Sequence, residues 1–306
     1  MERRNFIYSG TLGSLALFSL SSIEKQIFTQ QKIKITLTPW SIIRSGYGSK
    51  DPLDISVLEY PHVANSLGFD YIDHEMFHFP PNLDTKYIDK MNRSMKIAGV
   101  KSAVMLTGGV GDIADSNTEK RRKAIEIYKY WIDIASQLEC KAVRNVCASY
   151  ITIPKKEKLL YAIKGVKELG EYAASKNIDL LIENHNGYSS DPKWMIELME
   201  NVNMNNVGVL GDFSNWTLKQ NPEILYPDPY RGIEILSPYI KAVSAKSENF
   251  NSQGEETKID YKMMFSILKK APNLTYAGVE FFGRNISREE GSLKTKNLIE
   301  KVIVQV

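Results

Sequence analysis

An eightfold alternation of short β-rich runs and longer amphipathic segments dominates this sequence and leaves few folds open to it. The helical patterns, among them 120–138, 156–176 and 193–202, place apolar residues three and four positions apart. Parallel strands need helical crossovers, and eight such strands close a sheet on itself. We therefore predict one (β/α)8 TIM barrel over residues 31–306. Its strand-like runs are 33–40, 69–73, 101–107, 141–147, 178–184, 207–213, 240–246 and 276–282.

The first thirty residues differ in character from the rest of the chain. Arg3 and Arg4 precede a short, mildly hydrophobic stretch rich in Gly and Ser, a pattern that resembles a bacterial twin-arginine export signal. The stretch is too short for a good membrane span. We predict that residues 1–30 are a signal and that the mature protein is exported, to the periplasm. The alternative is a membrane anchor at the N-terminus.

Composition narrows the class of partner. The 306 residues carry 39 basic and 36 acidic side chains, a net charge of +3, with no dense basic block that would bind nucleic acid.

The two cysteines are predicted to be unpaired. Cys140 and Cys147 bracket a single strand, so their Cα atoms would lie about 23 Å apart at ~3.3 Å per residue. A disulfide needs less than about 7 Å. We expect two free, buried thiols and no membrane span in the mature chain, and a homo-oligomer is compatible with the sequence.

Polar residues stand at the carboxyl ends of the strand-like runs. In a TIM barrel the βα loops build the active site at these strand ends. They include three carboxylates that follow runs five, six and eight. The residues concerned are Asp73, His74, Arg144, Asn145, Glu183, His185, Asp212, Asn215, Ser244, Lys246 and Glu280. Because strand ends of a barrel meet at one rim, we expect these side chains to share one site.

Three buried carboxylates on one rim repel one another unless positive charge lies between them. Glu183, Asp212 and Glu280 would have only Lys246 and Arg144 as protein cations. A divalent ion would resolve the conflict. Oxygen ligands suit Mg²⁺ or Mn²⁺, and a set that adds imidazole also admits Zn²⁺ or Co²⁺. The alternative is that each acid caps a helix or pairs with a neighbouring Arg or Lys.

The same residues resemble a known family. The ordered set of Glu183 in "LLIENHNG", Asp212 in "GVLGDFSNW", the strand-seven end "AVSAKS" and Glu280 in "AGVEFFG" resembles the xylose-isomerase-like barrel superfamily of sugar isomerases, epimerases and inosose dehydratases. The resemblance spans most of residues 33–303. It includes "LECKAVRNV" and "SSDPKWMIELME" and is closest to exported bacterial members.

The resemblance implies roles for individual residues. In this family the first Glu, the Asp, a strand-seven His and the last Glu bind one divalent metal, and the two Glu residues often shuttle a proton. That implies Glu183, Asp212 and Glu280 as metal ligands and Glu183 and Glu280 as acid and base. Ser244 stands where the family has its His. His185 either completes the metal shell or binds a substrate hydroxyl. Lys246 either stabilises an enediolate oxygen or forms an ion pair with Glu280 or Asp212.

Further residues are assigned to the substrate. Arg144, inside an apolar strand, is expected to pair with a carboxylate in the mouth or to bind substrate oxygens, and Asn215 is expected to bind substrate. His74, Phe77 and His78 follow strand two, and we predict that this aromatic loop forms a wall of the sugar site. The alternative is that these rings only pack on the barrel top.

The constellation predicts chemistry at a carbon beside a carbonyl. A divalent metal bound by adjacent carbonyl and hydroxyl oxygens of a sugar acidifies the carbon-bound hydrogen between them, and two carboxylates can remove and return that proton. We therefore predict a divalent-metal-dependent isomerase or epimerase of a free or keto-sugar. Loss of a β-substituent after the same step would make the protein a dehydratase or keto-glycoside lyase. A non-catalytic carbohydrate-binding barrel is a third reading. An abasic-site endonuclease would need more histidines than the four present and a basic groove.

Overall fold

Eight parallel strands close into a barrel in which each strand pairs with its neighbours in chain order and the last pairs with the first. The computed structural model describes residues 33–81, 83–216 and 228–306. Every strand overlaps a predicted run, and the predicted (β/α)8 barrel is confirmed. The strands are β1 (Lys34–Leu37), β2 (Tyr71–Glu75), β3 (Lys101–Leu106), β4 (Ala142–Asn145), β5 (Asp179–Glu183), β6 (Val207–Asp212), β7 (Ile240–Ser247) and β8 (Tyr276–Phe281).

Helices connect the strands, and most begin at a side chain that caps their free backbone N–H groups. Asp84, for example, accepts a hydrogen bond from the Tyr87 N–H at 2.8 Å, and the helix it opens ends at Gly99 with a φ of 73°. The described helices are α1 (Tyr60–Ser66), α2 (Thr85–Ala98), α3 (Thr118–Gln137), α4 (Lys155–Ser175), α5 (Pro192–Val202), α6 (Pro229–Leu236), α7 (Tyr261–Leu268) and α8 (Arg288–Gln305).

The buried apolar side chains form two clusters, as expected for strands covered on both faces. The larger cluster joins the apolar faces of the helices to the sheet, and the smaller one contains strand residues only. Cys140 and Cys147 are free and buried, as predicted. Within the described ranges, no helix is both long and apolar enough to cross a membrane. The predicted signal at residues 1–30 lies outside the described residues.

The loop after β1 is tied to the segment after β8 where the barrel closes. The Arg288 guanidinium donates to the Ile42 carbonyl at 2.7 Å and to Asp54 at 2.6 Å, and it pairs with Asp51 at 3.1 Å. Arg44 donates in the opposite direction, to the Gly283 carbonyl at 3.0 Å. These contacts fix the first and last βα loops to each other at the rim of the barrel.

Candidate active site

A cavity of about 670 Å³ opens at the carboxyl ends of the strands. This is the rim where the sequence predicts the site. The structure brings seven of the predicted site residues to its walls, which are Phe77, Arg144, Glu183, His185, Asn215, Lys246 and Glu280. Asp212 lies directly behind Lys246, with its side chain fully buried.

Arg144 lies between two buried carboxylates. Its Nε atom is 2.9 Å from Oε2 of Glu183, an ion pair without the alignment of a hydrogen bond, and its Nη2 atom is 3.6 Å from Oε2 of Glu75. Nη1 donates to the Thr107 carbonyl at 2.8 Å, and Trp40 donates to Glu75 at 2.9 Å. Burial raises the pKa of both Glu183 and Glu75 to about 7, although Arg144 opposes the shift. Arg144 thus has the carboxylate partners predicted for it.

Lys246 forms the second ion pair of the site. Its Nζ atom is 2.9 Å from Oδ2 of Asp212, while Oδ1 of Asp212 accepts from the backbone N–H groups of Ser214 at 2.7 Å and Asn215 at 2.9 Å. Burial alone would lower the pKa of Lys246, but Asp212, Glu280 and Glu183 outweigh burial and raise it. Lys246 therefore forms the ion pair with Asp212 that was considered for it, and it also lines the cavity, so both roles predicted for this residue remain compatible with its position.

Glu280 stands beside Lys246 on the neighbouring strand. The two residues are register partners in the β7 and β8 pairing, so their side chains leave the sheet on the same face. The Ser244 hydroxyl donates a short hydrogen bond to Oε2 of Glu280. Burial raises the pKa of Glu280, Lys246 lowers it and Asp212 raises it further. Asn215 supports Glu183 in the same wall, because its side-chain amide donates to Oε1 of Glu183 at 3.1 Å.

His185 is held in the cavity wall by an unusual loop. Asn186 and Gly187 follow it with φ angles of 63° and 58°, and Ala148 on the facing loop has a φ of 57°. The Ser149 hydroxyl donates to the His185 carbonyl at 2.6 Å, which joins the loops after β4 and β5. Burial lowers the pKa of His185 to about 4, so the imidazole is neutral at neutral pH.

The aromatic loop after β2 reaches the cavity only through Phe77. His74 is buried, with Nε2 at 2.8 Å from the Ser102 hydroxyl, and does not line the cavity, which corrects the prediction that it binds substrate. The reason is alternation: β2 continues to Glu75, and Glu75 is the residue that faces the mouth. His78 is also corrected, because its buried ring packs edge-on against Trp40 and lines a smaller, separate cavity.

Sequence reasoning did not single out several residues of the cavity wall, among them Glu75, Trp40, Tyr150 and Phe282. Glu75 was missed because the predicted strand ended two residues too early, and Trp40 because an aromatic residue at the end of a strand-like run resembles a core residue. Tyr150 and Phe282 are exposed aromatic side chains at the mouth, 65% and 38% accessible. Exposed aromatic rings at strand ends were the signal that could have found them.

The predicted metal ligands are Glu183, Asp212, Glu280 and His185. Across the part of the chain that the structure describes, no group of three or more His, Cys, Asp or Glu side chains is placed to hold a metal ion. Arg144 and Lys246 already pair with two of the three carboxylates, and a divalent ion would have to displace them. In this arrangement the residues do not fit a metal, and the divalent ion stays a prediction from the sequence.

Comparisons with known proteins agree with the eight-stranded barrel described above. Residues 61–302 match the family model described as the xylose isomerase-like TIM barrel. The chain belongs to the xylose isomerase-like TIM-barrel family. The family predicted from the sequence is thereby confirmed. No curated protein matches the chain.

Solved structures share this family's fold over nearly the whole barrel. D-psicose 3-epimerase from Clostridium cellulolyticum H10 with D-tagatose has a TM-score of 0.71 at 15% identity, covering 89% of this chain and 99% of that one. The IOLI protein with a binding zinc atom has a TM-score of 0.68 at 17% identity, with coverage of 89% and 99%. The 3-keto-D-glucoside 4-epimerase YcjR from E. coli, in its apo form, has 0.67 at 14%, with coverage of 88% and 100%. At such identities the likeness shows the fold alone.

Proposed function

We propose that this member of the xylose isomerase-like family is a sugar isomerase or epimerase that transfers a proton at a carbon beside a carbonyl. One observation carries the proposal. Glu183 on β5 and Glu280 on β8 face the same cavity from strands three positions apart in the ring, and Lys246 on β7 stands between them. Two carboxylates flanking a fixed positive charge are what removal and return of a carbon-bound proton require.

The proposed reaction uses each group in a distinct role. One carboxylate takes the proton from carbon, the carbon–hydrogen electron pair forms a carbon–carbon double bond, and the carbonyl π electrons move to oxygen. Return of a proton from the opposite carboxylate to the same carbon, with the carbonyl restored, inverts that carbon. Return of a proton to the former carbonyl carbon, with a proton passing from the neighbouring hydroxyl to the former carbonyl oxygen so that the hydroxyl oxygen becomes the new carbonyl, isomerises the sugar. Arg144 is held by Glu183 and Glu75, so its role is to position Glu183. His185 and Asn215, in the same wall, are assigned to substrate hydroxyls.

The charges of the cavity support an unphosphorylated substrate. Among the described residues of the lining, each cation is paired with a carboxylate, the third pair being Lys158 with Asp112 at 2.6 Å. Acids outnumber these cations, so a phosphate would meet net negative charge and no unpaired cation among the described lining residues. The exposed rings of Phe77, Tyr150 and Phe282 offer flat apolar surfaces for sugar faces instead. The substrate proposed here is therefore a free or keto-sugar.

The size of the cavity favours one alternative. About 670 Å³ falls within the ~300–1,000 Å³ typical of sites for drug-sized ligands. A keto-glycoside has room in such a cavity, and proton removal beside its carbonyl could expel the β-linked group, which is a lyase reaction. A carbohydrate-binding barrel without turnover is the remaining alternative.

Exchange with solvent deuterium tests all three functions. The purified chain is incubated in D₂O with ketoses, keto-glycosides and inososes, with and without Mn²⁺, and followed by NMR. We expect deuterium at the carbon beside the carbonyl together with a second sugar. Deuterium together with an enone or a released aglycone would replace the isomerase by a dehydratase or lyase. Binding with no deuterium in any sugar under either condition would overturn the enzyme proposal.

A further inference from the structure

Most oxygens of the carboxylates predicted to bind a metal already lie beside a protein cation or accept a hydrogen bond. One oxygen of Asp212 forms an ion pair with Lys246, and the other accepts from two backbone N–H groups. One oxygen of Glu183 forms an ion pair with Arg144, and the other accepts from the Asn215 amide. One oxygen of Glu280 accepts from Ser244. Ammonium, guanidinium and N–H groups thus stand where a metal ion would approach.

Ser244 adds to this picture from the neighbouring strand. Ser244 lies on β7, between Asp212 on β6 and Glu280 on β8. It is the register partner of Asp212, and its hydroxyl donates to Glu280. A neutral hydroxyl is a weak ligand for the divalent ions that carboxylate and imidazole sites hold. The strand between the two carboxylates thus contributes a hydroxyl and an ammonium, and no strong metal ligand.

We propose that the Lys246 ammonium takes the place of the divalent ion and stabilises the enediolate oxygen, so that the reaction needs no metal. This inference rests on the proposed function. Lys246 Nζ lies 2.9 Å from Asp212 and lines the cavity next to Glu280, within reach of a carbonyl oxygen bound between the two Glu residues. The ion pair with Asp212 holds the ammonium at this place in the wall. The contribution proposed for Lys246 is electrostatic, without a covalent bond to the substrate.

The step balances without a further reactant. A carboxylate accepts the proton from carbon, the carbonyl oxygen receives an electron pair, and the Lys246 ammonium hydrogen-bonds that oxygen. Collapse of the enediolate returns a proton to carbon and restores the carbonyl. No electron leaves the substrate, so no oxidant or reductant is needed.

Metal content and metal binding test the inference directly. The full chain is dialysed against a chelator, analysed for metals and assayed for deuterium exchange with and without added Mn²⁺. We expect less than a full equivalent of any divalent metal and an unchanged exchange rate after chelation. A full equivalent of metal, with exchange lost on chelation and restored by Mn²⁺, would overturn the inference while leaving the proposed function intact.

Lys246→Met provides a readout that does not depend on activity. Removing the ammonium frees an oxygen of Asp212, so this variant should gain saturable Mn²⁺ binding by calorimetry that the parent lacks. Its exchange should fall at least about 100-fold, the loss typical of removing one charge-stabilising donor. The matched control is Lys241→Met, at the opposite end of β7, where Lys241 pairs with Asp179 at 2.9 Å and no cavity group is involved. That variant should change neither property.

Three further results would decide whether the Lys246 ammonium replaces the ion. If the parent binds Mn²⁺ as tightly as Lys246→Met, the ammonium does not occupy the site and the inference is wrong. If Lys246→Met fails to fold, Lys246→Arg keeps the charge and should retain part of the exchange, and the metal analysis of the parent still applies. If the parent shows no exchange with any sugar, the proposed function fails, and the Mn²⁺ titrations alone decide whether the ammonium replaces the ion.

Discussion

At the scale of single residues, the proposed proton shuttle depends on Glu183 and Glu280. Glutamine keeps the size of the side chain and an oxygen but cannot take up a proton. We expect Glu183→Gln and Glu280→Gln each to reduce the rate of deuterium exchange about 10²–10⁴-fold, which is the usual contribution of general acid–base catalysis. The matched control is Glu200→Gln on the exposed face of α5, which should exchange at the parent rate. Parent-like turnover by both cavity variants would exclude the two-carboxylate mechanism.

A buried acid beneath the site predicts a pH dependence of stability. Asp73 accepts from the hydroxyls of Thr36 at 2.6 Å and Thr38 at 3.2 Å and from the Val104 N–H at 3.2 Å, yet burial raises its pKa to about 7. The unfolded chain loses this proton first, so the free energy of unfolding should fall as pH rises from about 4 to about 7. Asp73→Asn should remove this part of the slope.

Denaturant unfolding of parent and Asp73→Asn at several pH values measures that contribution as a difference. Taking the difference matters because burial also raises the pKa of Glu75, Glu183 and Glu280, which produce slopes of the same sign. Identical pH slopes for the two proteins would show that Asp73 ionises in the folded chain as it does in the unfolded one.

At the scale of elements, the loops after β4 and β5 support the cavity wall as a pair. A Cβ atom on Gly187 would lie 2.4 Å from the Ala148 carbonyl oxygen, closer than atoms can approach. Gly187→Ala should therefore push the loop of His185 outward and raise KM, in addition to the ~1–2 kcal/mol cost of a left-handed alanine. Gly99→Ala is the control, since its φ of 73° is similar but its Cβ would meet nothing within 4 Å.

Kinetics and thermal unfolding of both variants separate the two effects. Gly99→Ala should lower Tm modestly and leave KM unchanged, because it changes only backbone strain at the end of α2. Should Gly187→Ala show the same KM as the parent, the contact between the loops does not position His185 for the substrate.

The strands show how far periodicity can predict a site. Alternation of apolar runs located all eight strands, and strand ends located Arg144, Glu183, Lys246 and Glu280 at one cavity. Alternation also decides which side of the sheet a residue faces, and there an error of two residues at the end of β2 exchanged Glu75 for its neighbour. A strand end is a weak signal in sequence because the hydrogen bonds that define it come from the next strand.

Ion pairing was the part of the site that sequence could not resolve. The two cations and the three carboxylates were identified, but whether they neutralise each other or surround an ion depends on distances of a few ångströms between different strands. Arg144 and Lys246 each lie 2.9 Å from a carboxylate oxygen. No spacing along the chain encodes those distances.

At the scale of the whole molecule, the contacts of Arg288 close the barrel between its first and last loops. Arg288→Gln removes a partly buried charge from Asp54 and Asp51, and losing a hydrogen bond to such a charged group typically costs about 1.5–3 kcal/mol. We expect a clear loss of Tm. Arg284→Gln, four residues earlier and exposed, should unfold with the parent. Equal Tm values for all three proteins would show that closure does not depend on these ion pairs.

Export is a prediction for the chain as a whole and concerns residues that the structure does not describe. Arg3 and Arg4 precede the short hydrophobic stretch, and replacing both by lysine should retain the protein in the cytoplasm. Cell fractionation of the parent and the double variant measures this. Equal amounts of both proteins outside the cytoplasm would rule out the twin-arginine route.

The ion pair of Lys246 with Asp212 also bears on where such an enzyme can work. A coordinated ion is in equilibrium with its surroundings, so dilution or competition from stronger binders removes it. An ammonium is covalently part of the polypeptide and is supplied once, at synthesis. If the side chain replaces the ion as inferred, the activity per molecule is the same in manganese-starved and manganese-rich cultures, and an exported copy keeps its charge in a medium that would strip a metal from its ligands.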